Sequence, residues 1–315
     1  MELCPHVLPA TPDLLLVNLA AGAGRAAEVL PELREFANRQ GWAVEFCVTE
    51  NPKDLAAKAW GAAKAGRKRI LVLGGDGTFQ VLLNAVTGFP ELILGVIPAG
   101  GGNDLAASLG LPKDTLQAAA LLLNGEPCFM DVVRVRTAEG RERLYTGGGG
   151  VGLDAEASRL ASGAYRNRRG RGRYLLSVIR ALFGFHPFCV RIAIVGNEPR
   201  NLQAEALLVA VLNTPSYGAG VYLAPEAKTD DGRLELVVLD DLSVGEILVL
   251  LPALAARGEL KTSKVRRFSV TGVRIETDTP RWFHGDGELL GMTPVDISVV
   301  PNAVRVLHPR RSKRP

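Results

Sequence analysis

The sequence of 315 residues has few of the side chains that most often hold metals or form disulfides. Its four cysteines are far apart in the chain: Cys4, Cys47, Cys128 and Cys189. Because no zinc-binding spacing exists, we expect reduced thiols in a cytosolic protein. The four histidines are equally scattered and receive no catalytic role: His6, His186, His284 and His308.

Long hydrophobic runs are also absent. The longest apolar runs span about ten residues, whereas a helix needs roughly 20 to cross a bilayer. The amino terminus lacks the basic-then-apolar pattern of a signal peptide. We therefore expect a cytoplasmic protein whose membrane contact, on the inner face, is peripheral. The net charge is only +4, and nucleic acid is not among the expected partners.

The first 131 residues alternate apolar strands with amphipathic helices, which predicts a parallel, doubly wound α/β domain. The predicted strands are Leu14–Leu19, Val44–Thr49, Ile70–Leu73 and Leu92–Ile97. The predicted helices are Arg25–Gln40, Asp54–Ala65, Phe79–Val86 and Leu105–Leu109. Three strands end in glycine-rich loops, and ligands bind beyond the carboxyl ends of such strands. We expect the three loops to form one site.

From residue 132 to residue 301 the pattern becomes rich in strands and predicts a β-sandwich-like second domain. The predicted strands are 132–136, 144–148, 189–195, 206–212, 234–239, 265–270 and 297–300. The predicted helices are 154–161, 174–183 and 244–256. A final strand, Ala303–Leu307, is expected to return to the first domain, so residues 302–315 are assigned there.

The segment Gly74–Thr78 follows a buried apolar run and precedes a helix. Glycines let backbone N–H groups approach an anion, and a helix start adds partial positive charge, so this turn is suited to phosphate. Asp76 inside it would repel phosphate, which makes sense if its carboxylate holds a metal ion or orders the loop. A plain strand-to-helix turn is the simpler alternative.

These segments resemble the diacylglycerol kinase catalytic superfamily, which includes soluble bacterial lipid kinases and the sphingosine and ceramide kinases. Asn18–Gly24 is similar to the family's N-P-x-A-G-x-G, with leucine in place of proline. Gly74–Thr78 matches G-G-D-G-T, followed by the family's asparagine at Asn84. Pro98–Asp104 is similar to P-x-G-T-x-N-D, but Gly101 replaces the threonine and removes a hydroxyl expected near the nucleotide.

The second domain carries two more segments of this resemblance. The residues before Gly232 look like the family's P-x-A-x-x-D-D-G, which implies a structural Mg²⁺ on the Asp231 carboxylate and on backbone carbonyls at Lys228 and Arg233. Asp286-Gly287-Glu288 looks like the catalytic D-G-E, and Asp131 matches an acidic position thought to support that site. The Asp230-Asp231-Gly232 stretch is alternatively a mere turn.

The resemblance implies ATP and Mg²⁺ as cofactors. No G-x-x-x-x-G-K-[ST] occurs, so glycine-turn amides and Mg²⁺ must hold the phosphates. Asp76 is placed to coordinate or orient that ion. The predicted nucleotide-binding residues are Asn18, Gly22, Thr49, Gly74, Gly75, Asp76, Gly77, Thr78, Gly101 and Asn103.

Asp286 and Glu288 are predicted to share the catalytic site with Asp76. In an extended segment, positions i and i+2 face the same way, so both carboxylates would meet. One carboxyl of such a pair has a raised pKa and serves as the general base, and the sequence leaves open which one. The alternative for this stretch is a surface hairpin turn, since Asp-Gly is a common turn pair.

The predicted function is that of an ATP-dependent lipid kinase, which transfers the γ-phosphoryl group to a hydroxyl of diacylglycerol or a related lipid in phospholipid metabolism. The alternatives are an NAD kinase, which shares G-G-D-G-T, and a non-catalytic nucleotide- or lipid-binding regulator. The basic-then-apolar order of Arg166–Phe188 predicts either a membrane-interface helix or a core helix after an arginine loop. A homodimer is left open.

Overall fold

The computed structural model describes residues 11–156, 185–196, 199–217, 221–243, 245–246, 249 and 262–310. The predicted helix 174–183, most of the predicted helix 244–256 and the arginine-rich part of Arg166–Phe188 lie outside these residues. Among the described helices, none is both long and apolar enough to cross a membrane.

The amino-terminal part is built on a parallel sheet of four strands. They are β1 (Asp13–Val17), β2 (Val44–Val48), β3 (Arg69–Gly74) and β4 (Ile93–Pro98), in the order β4-β3-β1-β2. The helices between and after them are α1 (Arg25–Arg39), α2 (Pro52–Lys64), α3 (Asp76–Ala85), α4 (Asp104–Ser108) and α5 (Thr115–Leu123). Central strands β1 and β3 are apolar throughout their interior because helices cover both faces of such a sheet.

Local side chains fix where these helices begin. The Asn51 side chain accepts hydrogen bonds from the N–H groups of Lys53 and Asp54 at the start of α2. The Asp114 carboxylate likewise caps α5 through the N–H of Gln117. Helix α5 was not predicted, because its Ala- and Leu-rich stretch is apolar around most of its circumference and shows little periodicity.

The carboxyl-terminal part is antiparallel. Its strands are β5 (Glu126–Thr137), β6 (Glu142–Tyr145), β7 (Gly148–Gly152), β8 (Phe188–Val195), β9 (Arg200–Leu212), β10 (Leu234–Asp240), β11 (Val265–Val270), β12 (Gly272–Thr277), β13 (Trp282–Gly285), β14 (Glu288–Met292) and β15 (Val295–His308). They run in the order β14-β13-β7-β9-β8-β12-β15, with β10 and β11 beyond β9 and with β5 and β6 beyond β15. The inward side chains form a core of their own.

Strand β15 belongs to both parts of the molecule. It pairs antiparallel with β12 and β5, then runs parallel to β4 with Arg305 opposite Ile93 and Val306 opposite Leu94. Its register shifts between Val300 and Val304. The two separate strands predicted at 297–300 and 303–307 are therefore one continuous strand, whose later half packs in the amino-terminal core.

The predicted fold class, a doubly wound α/β domain followed by a β-rich domain, is confirmed. The domain limits at residues 131 and 302 stay a prediction. The predicted strand 144–148 is wrong, because the chain breaks between β6 and β7. Strands β12 to β14 were not predicted. Phe185 and Phe188, from the end of the supposed membrane segment, pack edge to face in the second core.

Candidate active site

The loops after β1, β3 and β4 meet at the carboxyl ends of the parallel strands. Asn18 Nδ2 donates to Thr78 Oγ1 over 3.0 Å, which ties the first loop to the start of α3. Gly22 has a φ of 61°, and a Cβ on it would lie 2.0 Å from the carbonyl oxygen of Ala99. A glycine is therefore required where the first loop touches the loop after β4.

The second and third loops touch through two further glycines. A Cβ on Gly100 would lie 2.5 Å from the Cα of Gly75, which is backbone against backbone. A Cβ on Gly101 would meet nothing within 4 Å, and the φ of this residue is outside the left-handed region. The position where the family has threonine thus has room for a side chain.

This contrast predicts opposite outcomes for two neighbouring substitutions. Gly100→Ala should lower the free energy of unfolding by about 1–3 kcal/mol, because neither backbone can move aside without disturbing both loops. Gly101→Ala, its matched control, should leave stability within about 1 kcal/mol of the wild type. Urea denaturation of the two variants checks this, and equal losses in both would contradict the packing described.

The Asp76 carboxylate holds the start of helix α4. It accepts hydrogen bonds from the N–H groups of Asn103, Asp104 and Leu105 over 2.9, 3.2 and 3.0 Å. Burial, together with the nearby charges of Asp104 and Asp286, raises the pKa of Asp76 to about 7, against the lowering effect of the amide bonds. Two roles are predicted for the Asp76 carboxylate, holding a metal ion and ordering the loop, and these hydrogen bonds show that it orders the loop.

Other predicted nucleotide-binding side chains also bond to backbone. Asn103, at a φ of 62°, accepts from the N–H of Gly100 and donates to its carbonyl oxygen. Thr49 Oγ1 donates to the carbonyl oxygen of Val17, and its side chain is buried. Thr78 is buried as well. These side chains shape the loops, and their direct contact with a nucleotide stays a prediction.

The D-G-E segment is a hairpin turn between β13 and β14. Asp286 has a φ of 50° and Gly287 a φ of 85°, as in a two-residue turn of type I′. The prediction of an extended segment with both carboxylates on one face is therefore wrong. The turn directs the Asp286 side chain toward the strands, whereas Glu288 is exposed.

The chain wraps the Asp286 carboxylate with donors. It accepts from the N–H of Thr146 over 2.8 Å and from Thr146 Oγ1 over 3.0 Å. The N–H groups of Gly147 and Gly148 donate over 2.9 and 3.2 Å. Burial raises the pKa of Asp286, and these hydrogen bonds oppose the rise. The break between β6 and β7 thus supplies the amides that hold this carboxylate.

The hairpin lies against the glycine-rich turn. The charge of Asp286 is close enough to Asp76 to raise the pKa of the Asp76 carboxyl. Glu288 Oε1 lies 3.5 Å from where a Cβ on Gly77 would be. All three predicted catalytic residues therefore lie in one place. The pair in which one charge raises the pKa of the other carboxyl is Asp76 and Asp286, from the two parts of the molecule, and not Asp286 and Glu288 within D-G-E.

Two side chains of helix α3 link the amino-terminal and carboxyl-terminal parts of the molecule through hydrogen bonds. Gln80 Nε2 donates to the carbonyl oxygen of Gly285 over 3.2 Å. The Asn84 side chain donates to the carbonyl oxygen of Leu144 over 2.8 Å and accepts from its N–H over 3.0 Å. The asparagine that follows G-G-D-G-T therefore has a structural reason, since it completes the edge of β6.

Asp131, the acidic residue expected to support the D-G-E site, holds two other segments of the chain. It is buried, and its carboxylate accepts from the N–H of Gly232 over 2.7 Å and from the N–H of Asn302 over 2.8 Å. Its own N–H donates to the carbonyl oxygen of Thr229. Its carboxylate therefore binds the 229–232 loop and the part of β15 where the register shifts, and its support of the D-G-E site stays a prediction.

The predicted metal ligands lie on this loop. Asp231, Lys228 and Arg233 are exposed, and Asp231 Oδ1 accepts from the N–H of Arg233. Within the described residues no group of three His, Cys, Asp or Glu side chains could hold a metal ion. One carboxylate with backbone carbonyls is an all-oxygen set that fits Mg²⁺ chemically, with water completing the shell.

Sequence reasoning missed three parts of the site: Thr146–Gly148, Asp104 and residues 213–217. The last segment had a usable signal. Its polar residues follow directly after the buried apolar strand β9, as the glycine-rich loops follow theirs.

These features define an α/β protein whose parallel strands end in glycine-rich loops facing a carboxylate hairpin. Residues 12–135 match the model of the diacylglycerol kinase catalytic domain, and residues 149–308 match the YegS C-terminal NAD kinase beta sandwich-like domain. The chain belongs to the diacylglycerol kinase catalytic-domain family.

Individual relatives agree with this assignment. A diacylglycerol kinase of Mycobacterium tuberculosis is 28% identical over 296 residues, which cover 94% of this chain and 94% of the relative. A probable lipid kinase YegS-like of Pectobacterium atrosepticum is 27% identical, with 92% and 93% covered. A crystal structure of a diacylglycerol kinase from Bacillus anthracis superposes with a TM-score of 0.72 at 21% identity, covering 95% of this chain and 97% of that one. This last likeness concerns the fold.

Proposed function

We propose that the protein is an ATP-dependent lipid kinase that transfers the γ-phosphoryl group to a lipid hydroxyl. The observation that carries this proposal is the closeness of the D-G-E hairpin to the glycine-rich turn: Glu288 Oε1 lies 3.5 Å from where a Cβ on Gly77 would be, and the charge of Asp286 raises the pKa of Asp76. The names of the relatives make diacylglycerol the first acceptor to test. The family assignment favours this function over an NAD kinase.

Backbone N–H groups are the proposed phosphate ligands. The ten-residue helix α3 begins at Asp76, so its first amides and its partial positive charge are directed toward the loops. Gly75 and Gly77 let a phosphate approach those amides closely. Mg²⁺ would neutralise charge on the transferred phosphoryl group. Asp76 would help to hold this ion with the oxygen lone pairs that its amide bonds leave.

Asp286 is the proposed general base. Burial raises the pKa of its carboxyl, which favours proton uptake from the acceptor hydroxyl, and its four donors fix its direction. Glu288 is exposed at the rim of the same place and is suited to contact the incoming lipid or nucleotide. The aspartate thus acts in proton transfer and the glutamate in positioning the reactants.

A mixed-micelle assay with radiolabelled ATP tests the function. Diacylglycerol, monoacylglycerol, ceramide, sphingosine and phosphatidylglycerol serve as acceptors, and NAD is the control for the competing activity. We expect one glycerol-based lipid to be phosphorylated. Phosphorylation of NAD alone would support an NAD kinase. Binding of ATP without any turnover would support a non-catalytic regulator.

A structural Mg²⁺ at the Asp231 loop is a separate proposal. Asp231 and the carbonyls of Lys228 and Arg233 would hold it, far along the chain from the phosphate loops. We expect millimolar Mg²⁺ to raise the melting temperature of the wild type, because binding to the folded state stabilises it. Asp231→Ala should lose most of this rise, and the matched control Asp230→Ala should keep it. Equal rises in both variants would remove Asp231 from metal binding.

A lipid acceptor also implies contact with a membrane surface. Peripheral docking on the inner face, the cytoplasmic location and a homodimer stay predictions. Sedimentation with anionic vesicles and light scattering are the measurements that address them.

A further inference from the structure

Residues 213–217 form a segment that touches both halves of the candidate site, and we name it the bridging segment. It follows β9, and four of its five residues are buried, all but Pro215. The N–H of Asn213 donates to the carbonyl oxygen of Gly147 over 2.7 Å. Asn213 Nδ2 donates to the carbonyl oxygens of Thr146 and Asp131, each over 3.0 Å. The segment therefore holds the β6–β7 break whose amides bind the proposed base.

On the nucleotide side, the contact is a hydrogen bond from Ser216. Its Oγ donates to Asp104 Oδ1 over 2.7 Å, between residues 112 positions apart in the sequence. Asp104 begins helix α4, and its N–H donates to the Asp76 carboxylate. Ser216 thus reaches the phosphate loops through a charge-assisted bond, which is stronger than a neutral one.

On the acceptor side, the contact is made by Tyr217. Its hydroxyl is hydrogen-bonded to the buried carboxylate of Asp154 and lies 2.5 Å from Nε2 of buried His284. Its ring occupies the space where a Cβ on Gly148 would be, 2.5 Å from that position. The N–H of Gly148 in turn donates to the Asp286 carboxylate. Tyr217 is therefore fixed at one end and packs against the cradle of Asp286 at the other.

We propose that the bridging segment is a positioning element that sets the separation between the phosphate loops and Asp286, with Ser216 on one side and Tyr217 on the other. This proposal rests on the proposed kinase function. A continuous path supports it, from Asp76 through Asp104 and Ser216 to the Gly148 amide on Asp286. Because misplacement by about 1 Å can cost on the order of a hundredfold in rate, loss of one link should act on turnover more than on binding.

The test compares Ser216→Ala with Ser108→Ala. Ser108 Oγ also donates over 2.7 Å, to the carbonyl oxygen of Leu105, and it lies on the same helix α4. The control therefore removes a similar hydroxyl close by without touching the path. We expect Ser216→Ala to lower kcat roughly ten- to hundredfold with ATP affinity changed less than about threefold. Ser108→Ala should leave kcat within about twofold of the wild type.

Two further measurements separate positioning from general support of the fold. In an Asp104→Ala background, Ser216→Ala should lower kcat by less than about a further twofold, because the two substitutions break the same hydrogen bond. Hydrogen exchange should quicken in Ser216→Ala at the amides of Thr146–Gly148 and of Asp104, and it should stay unchanged in Ser108→Ala.

The outcomes are distinct. If kcat and exchange are the same in the two serine variants, the proposal is overturned although the kinase function stands. If the effects of Ser216→Ala and Asp104→Ala simply multiply, the path through their bond is overturned. If the wild type phosphorylates no lipid while exchange still quickens only in Ser216→Ala, the proposed function fails and the mechanical link remains.

Discussion

Asp286→Asn is expected to lower kcat by about 10²–10⁴-fold, the usual cost of losing a general base. Asparagine tolerates the left-handed backbone of this turn, so the β13–β14 hairpin should be retained. The Asp286 carboxylate accepts from its four donors with two oxygens, whereas the asparagine amide has only one acceptor oxygen. The free energy of unfolding should therefore fall by about 1–3 kcal/mol. ATP affinity should change little. Steady-state kinetics, together with urea denaturation, checks both parts.

Glu288→Gln is the matched control, since it neutralises the exposed carboxylate two residues away. We expect a smaller loss of kcat than in Asp286→Asn and a larger rise in the KM for lipid or ATP. If Asp286→Asn turned over at the wild-type rate, Asp76 would be the next candidate for the base. If Glu288→Gln lost as much kcat as Asp286→Asn, the two carboxylates would act as a unit.

Asp76→Ala is expected to abolish measurable turnover. The substitution removes both the proposed metal contact and the acceptor for three amides at the start of α4, so the loop after β4 should lose its fixed position. Asp114→Ala is the control, because it removes an ordinary cap whose hydrogen bond stays within the first turn of α5. It should cost about 1 kcal/mol of stability and leave kcat near the wild-type value. Wild-type kinetics in Asp76→Ala would exclude Asp76 from the mechanism.

The pKa of Asp76 gives this comparison a pH dependence. The value is about 7 in the folded protein and 3.8 for the unperturbed group, so the folded state binds the proton more tightly. The stabilising contribution of proton binding is complete below the unperturbed pKa and is lost as pH rises through about 7. The unfolding free energy of the wild type relative to Asp76→Ala should therefore fall between about pH 4 and about pH 7, the span between the two pKa values. A difference independent of pH would show that Asp76 has an ordinary pKa.

Local patterns were sufficient to predict that the three glycine-rich loops meet. The apolar runs of β1, β3 and β4 and the glycines after them are contiguous in sequence, and parallel strands must bring those ends together. Local sequence also predicts an extended strand at Asp286-Gly287, and this prediction is wrong. The preference of Asp-Gly for a tight turn decides the backbone there. The hairpin turn is compatible with the predicted catalytic role, because the turn itself directs the Asp286 carboxylate toward the amides of residues 146–148.

The cradle around the carboxylates could not be predicted from the sequence. Thr146 and Asp286 are 140 positions apart, and Gly232 and Asp131 are 101 positions apart. A backbone N–H carries no sequence signal of what it will bind, so donors such as those of Gly147 and Gly148 are visible only in the folded chain. Only Gly148 of the glycine-rich β7 fell within a predicted strand, because glycines give no apolar pattern. Two of these glycines leave room for Tyr217 and Asp154.

The dual membership of β15 has a consequence for synthesis of the protein on the ribosome. The outer edge of β4 obtains its partner only when Arg305 and Val306 have been made, although β4 itself is complete at residue 98. Throughout the intervening translation, the nascent parallel sheet presents an unpaired strand edge, which is a template for pairing with other chains. We therefore expect this topology to expose the nascent chain to aggregation until β15 has been made.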